Sequence, residues 1–164
     1  MRRRAGTRRP QRDPAFPVSV QLGTRHCSQQ VKLKTGETTV TAVMTIPRLY
    51  TDEAGDSRFD TYDVPMSLHE HAPPAAPFLL TEPEVATKYI LFRIPPGWNG
   101  SQHSTPNYRL VICLAGALRF IGSAGDTLSL HLGDRTMDMN TTGKGHATEV
   151  VSEEPAEGII IRVD

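Results

Sequence analysis

A chain of 164 residues, 38% hydrophobic and 22% charged, can bury one core without metal or disulfide staples, and is read as a single soluble domain. Its longest apolar run, Leu110 to Leu118, is far short of a bilayer span, and Cys27 and Cys113 are too few for a disulfide framework. A transmembrane helix and a disulfide-stapled secreted scaffold are thereby excluded, and a cytoplasmic location is expected.

The net charge of zero hides an asymmetry, since residues 1–43 carry nine Lys/Arg against two acids and the remainder nine against sixteen. Arginines at 2, 3, 4, 8, 9 and 12 are followed by no apolar stretch of the kind a secretory signal needs. No aromatic residues are interleaved with them, which argues against a nucleic-acid arm. Residues 1–43 are therefore read as a flexible basic extension, an organelle-targeting peptide or an upstream translation, with Met44 opening a folded domain over 44–164. Two β-leaning runs around Thr35-Gly36 leave room for a hairpin or an added edge strand there.

Residues 51–65 are polar and read as turn-rich. The proline-rich stretch 72–83 forbids a long helix and predicts an extended segment along a sheet edge. Seven short apolar runs follow, at 88–94, 108–114, 117–121, 127–132, 135–139, 146–151 and 158–163, separated by Gly, Pro and Asp turn signals. Short strands at this spacing, without an amphipathic helix of more than two turns, predict an all-β sandwich or barrel. Periodicity alone leaves an immunoglobulin-like sandwich equally open.

The spacing of particular residues narrows this. Gly97 is followed after five residues by His103, then by Thr105, Arg109 and Gly116, and TTGKGH ends on His146. This spacing resembles the first motif of the cupin superfamily, Gly-x5-His-x-His-x3–4-Glu-x6-Gly, with His146 at the histidine of the second motif. Ala72 to Pro77, Pro95-Pro96-Gly97-Trp98, His103 to Pro106, Leu114-Ala115-Gly116 and Thr142 to His146 also resemble, in order, fragments of a family of small single-domain cupins of uncharacterised function. The resemblance covers about 44–164. It implies a single-domain cupin jelly-roll barrel, and a homodimer paired through sheet edges.

The resemblance also implies a metal site, and the residues depart from it. Thr105 stands where a second histidine is expected, Arg109 where a carboxylate is, and Val150 where many cupins place an Asn. His103 and His146 would be a fair start for Fe, Mn, Ni, Zn or Cu, but such a site needs a third ligand. His69, Glu70 or His71 in SLHEHAPP is the available source, with His71 the choice made here; the competing reading is two solvated histidines in a connecting segment. Without a metal, His103 and His146 are candidate proton carriers. Arg109, permanently cationic, together with Trp98 and Thr105, is then the candidate substrate-binding set. Gly143-Lys144-Gly145 does not match a phosphate loop and reads as a tight turn, and His131 reads as a surface residue.

Two enzymatic expectations and one non-enzymatic one follow. The first is a small-molecule pocket around His103, His146 and Arg109 performing metal-free acid–base chemistry on an anionic substrate. The alternative is a metal-dependent dioxygenase, isomerase or lyase using His103, His146 and a third ligand. The third is a ligand sensor or assembly partner without turnover.

Overall fold

The computed structural model describes residues 41–163; residues 1–40, which hold all but the end of the basic extension and most of its possible hairpin, lie outside the described residues. The described chain is all-β, with eleven strands: β1 Thr41–Thr51, β2 Ser57–His69, β3 Phe78–Leu80, β4 Ala86–Ile94, β5 Asn99–His103, β6 Arg109–Ala115, β7 Ala117–Gly122, β8 Thr127–His131, β9 Arg135–Asp138, β10 His146–Val150 and β11 Ala156–Val163. They form a seven-stranded sheet, β3-β2-β1-β9-β6-β11-β4, and a four-stranded sheet, β5-β10-β7-β8. β1 runs parallel to β9, and the other pairings are antiparallel. Among the described residues no helix is long and apolar enough to cross a membrane.

Each of the seven apolar runs is a strand to within two residues at either end. Alternation explains which face each presents. In β8, Leu128 and Leu130 are buried while Ser129 and His131 point out, and β7 buries Leu118 and Phe120 around an exposed Arg119. These side chains meet Leu49, Val111, Cys113, Val150 and Ala156 between the sheets as the core. Cys113 is a free, fully buried thiol in this cluster. Val150, at the position of the expected Asn, is a core residue.

Two expectations need correction. The segment read as turn-rich contains most of β2, whose thirteen residues include Pro65. Its faces are only partly buried, so polar residues sit on both and no clean alternation marks the strand. Pro65 is tolerated because β3 covers only Ser67 to His69, leaving the stretch before it at a sheet edge. The second correction concerns β5, which carries His103. Asn-Gly-Ser-Gln-His has no apolar residue to signal a strand, and its pairing with β10 alone makes it one. The proline-rich segment does supply the edge strand β3. β1 begins at Thr41 and pairs residue for residue with β2 down to Ser57, so the strand runs across the boundary expected at Met44.

Candidate functional site

β5 and β10 place the two motif histidines opposite each other. His103 is the register partner of His146, and their ring centroids are 5.1 Å apart. In β10 the alternation buries His146, Thr148 and Val150 and turns Ala147 and Glu149 outward, so His146 faces the barrel interior with Phe120 at 5.6 Å between ring centroids. The close approach depends on Gly145, which has φ +76°. A Cβ there would overlap the backbone carbonyl of His103 and lie 2.6 Å from Ser104 N. The turn is tied down by Gln102 Nε2 donating to Lys144 O at 2.8 Å, by Lys144 Nζ on Asp56 at 2.8 Å, and by the Ser57 hydroxyl donating to Gly145 O.

The histidines open on a cavity of about 170 Å³. Phe92, Ile94, Val111, Leu118, Phe120 and Ile160 make its apolar wall, and Trp98, Arg109, Asp138 and Thr148 complete the lining. The Trp98 ring is seated over Gly100, where a Cβ would come within 3.0 Å of Cζ2 and Cζ3. His103 and Trp98 are exposed at the mouth, whereas His146 and Asp138 are almost fully buried.

Sequence reasoning missed two residues that organise this cavity. Asp138 on β9 is the register partner of Arg109 on β6, and Arg109 Nε lies 3.2 Å from Asp138 Oδ2. The two form an ion pair by distance, although the Nε–H is not aimed well enough to count as a hydrogen bond. Burial pushes the Asp138 carboxyl up to about 6, against the opposing pull of Arg109. The same oxygen is 4.0 Å from His146 Nε2. Asn140, fully buried, is the second missed residue. Its Nδ2 donates to Thr51 Oγ1 at 2.7 Å and points to Thr142 O at 3.3 Å, which leaves Oδ1 as an acceptor. His146 Nδ1, 3.1 Å from that Oδ1, must therefore be the donor. The tautomer follows: His146 turns an unprotonated Nε2 toward the cavity. Burial, reinforced by His103 and Arg109, lowers its pKa to about 4, so it is neutral at physiological pH. His103 Nδ1 lies 2.9 Å from Ser101 O, which can only accept, so Nδ1 is the donor there and Nε2 is the nitrogen left open.

The other expected site residues fall elsewhere. Thr105 is 1% exposed and does not line the cavity; its hydroxyl donates to Asn107 O at 3.1 Å, which makes it a loop support and not a substrate contact. His71 packs edge-on against Phe78, and His69 Nε2 is 2.8 Å from Ser67 Oγ and 3.8 Å from Glu82. These histidines and Glu70 belong to the end of β2 and the residues after it, at the opposite side of the seven-stranded sheet from β6 and β11, and none lines the cavity. The third metal ligand expected from them is not brought to His103 and His146. The remaining carboxylate, Asp138, is held by Arg109, whose charge would stand beside any cation there. Among the described residues no group of three His, Cys, Asp or Glu is arranged to hold a metal ion. The donor set does not fit the family's metal site. His131 is exposed beside Asp134, and Gly143 to Gly145 form the turn into β10.

Two sheets that set a histidine from each motif opposite the other at one cavity decide the architecture. The fold is a cupin barrel. No family model matches the sequence, and no curated protein matches it. Among solved structures, the chain is similar to a conserved protein of unknown function from Streptococcus pyogenes (20% identity over 46% of this chain and 62% of that one, TM-score 0.38). It is also similar to a cupin-superfamily sugar phosphate isomerase from Silicibacter pomeroyi (20% identity, 46% and 49%, TM-score 0.39). A third is a cupin 2 conserved barrel domain protein from Salinispora arenicola (15% identity, 60% and 76%, TM-score 0.42). The cupin barrel thus spans about half to three-fifths of the first two proteins. At scores this low, the likenesses carry no argument about chemistry.

Proposed function

We propose that this cupin barrel binds an anionic small molecule and exchanges a proton with it between His103 and His146, without a metal. One observation carries the reading: an apolar cavity presents two imidazole rings together with a half-buried Arg109 paired to a buried Asp138. Arg109 engages Asp138 through Nε and lines the cavity, so its two Nη groups are the donors it has to offer a ligand. They can take a carboxylate or similar group, the fork geometry for which guanidinium is suited. An anion there competes with Asp138 for the guanidinium, and Asp138, already pushed up to about 6, takes a proton at little cost. His146 Nε2, held as an acceptor by Asn140, receives a hydrogen bond from a hydroxyl or acidic C–H of the ligand. His103, at the exposed mouth, passes protons between ligand and solvent. Such a site suits isomerisation or lyase chemistry.

The reading is tested by incubating the protein in D2O with a panel of small hydroxy- and keto-carboxylates. Thermal stabilisation and deuterium uptake by the ligand are recorded. At least one compound is expected to stabilise the wild type and exchange; His146→Ala abolishes exchange and Arg109→Met abolishes stabilisation. Stoichiometric metal in the purified protein, lost in His103→Ala, would overturn it.

A further inference from the structure

A second cleft of about 140 Å³ adjoins the first and shares Arg109 and Ile160 with it. Its chemistry is different. On β4, β11 and β6 the register pairs Lys88 with Arg162 and Arg162 with Arg109. Residues directly opposite in a sheet point to the same face with their Cβ atoms roughly 5 Å apart. Three cations therefore stand side by side across three neighbouring strands, and all three line this cleft. The row ends at Asp138, the register partner of Arg109, which is the one carboxylate in it. Like charges placed directly opposite repel one another, so an anion bound across this row is favoured by all three. Among the described residues, no Asp or Glu lines the cleft. Tyr108 lines it too, with its backbone carbonyl accepting from Val163 N at 3.1 Å, which anchors the loop to the end of β11. Beyond the cations, Ile90 and Ile160 lead along the same face toward the apolar wall of the first cavity.

We infer that the Lys88–Arg162–Arg109 row is a binding site for a doubly charged anionic group, a phosphate monoester or a pair of carboxylates, carried by the ligand whose other end lies at His103 and His146. The placement of that other end rests on the function proposed above; the anion site itself does not. Phosphate and dicarboxylate share the needed chemistry, two negative charges and several acceptor oxygens, matched to two guanidinium forks and an ammonium. Arg109 links the two cavities, so anion binding at the row also orients the reacting end of the ligand.

The test is calorimetric titration of the whole chain with inorganic phosphate and with succinate at low salt. Wild type is expected to bind one of them, and Lys88→Ala and Arg162→Ala each to weaken it roughly tenfold, the loss of one charged hydrogen-bond partner. Arg93→Ala is the control: Arg93 is also on β4, is exposed and pairs with Glu157, and does not line the cleft. It removes the same charge and is expected to bind as wild type. Preference for phosphate assigns a phosphate ester, and preference for succinate a dicarboxylate. If neither anion binds, or if Arg93→Ala weakens binding as much as Lys88→Ala does, the site is refuted. Lys88-dependent binding in a protein that shows no deuterium exchange would support the anion site and refute only the proton-transfer reading.

Discussion

Gly145→Ala should be far more damaging than another glycine replacement at equally unfavourable backbone geometry. Gly145 (φ +76°) and Gly125 (φ +92°) both hold left-handed backbone, where any Cβ costs about 1–2 kcal/mol. At Gly125 nothing lies within 4 Å of the added Cβ, so that is the whole expected loss. At Gly145 the Cβ meets the carbonyl carbon and oxygen of His103 and the amide of Ser104, all backbone atoms that cannot rotate aside. Overlap of this kind adds about 1–3 kcal/mol, so Gly145→Ala should lose about 2–5 kcal/mol in all. The relief available is to move β5 away from β10, which also separates His103 from His146. Urea unfolding of both variants, read with unchanged m, gives the difference directly. The imidazole NMR signals of both histidines are expected to shift in Gly145→Ala and not in Gly125→Ala. Equal losses in the two variants would refute the claim that Gly145 is what lets the two histidine strands close.

The buried pair predicts opposed pH dependences. Asp138 is raised from 3.8 to about 6, so the folded state holds its proton more tightly, and stability falls as pH climbs across that window, by about 3 kcal/mol. His146 is lowered from 6.5 to about 4, so stability rises by about the same amount as pH climbs from about 4 to 6.5. Wild type is expected to be nearly flat between these limits. Asp138→Asn should gain stability with rising pH and His146→Gln should lose it, measured by urea unfolding across the range; parallel curves would contradict the assignment. Thr105→Ala removes a buried hydroxyl bonded to Asn107 O and should cost about 1–2 kcal/mol of stability, with anion affinity unchanged in the same calorimetric assay.

Strands with a dense run of large or β-branched apolar residues between turn signals were legible because such runs extend whichever face is buried. KYILFRI, YRLVICL and GIIIRV needed no partner to be recognised, and the Gly97 to Gly116 spacing carried the barrel with them. The facing of His103 and His146 came with the motif spacing; His146 also sits in phase with Thr148 and Val150, whereas His103 lies on β5, which no apolar pattern marked. Asp138 and Asn140 were not, because a polar residue in a short strand reads as surface unless its neighbours are known. One signal was present: a motif that replaces a carboxylate with Arg109 asks for a compensating carboxylate on an adjacent strand. β2 and β5 escaped because pairing, not side-chain hydrophobicity, holds them in the sheet.

What the chain determined by itself was local: which runs extend, where glycines permit turns, and which residue types lie at motif spacing. The tertiary structure decided which charges meet. Lys88, Arg162, Arg109 and Asp138 come from four strands scattered along the sequence, and only the order β9-β6-β11-β4 and its register set them in one row. Charge pairing acts over a few ångströms and ignores sequence distance. The partner of Arg109, the tautomer of His146 and the cationic cleft therefore became readable only once the strands were side by side.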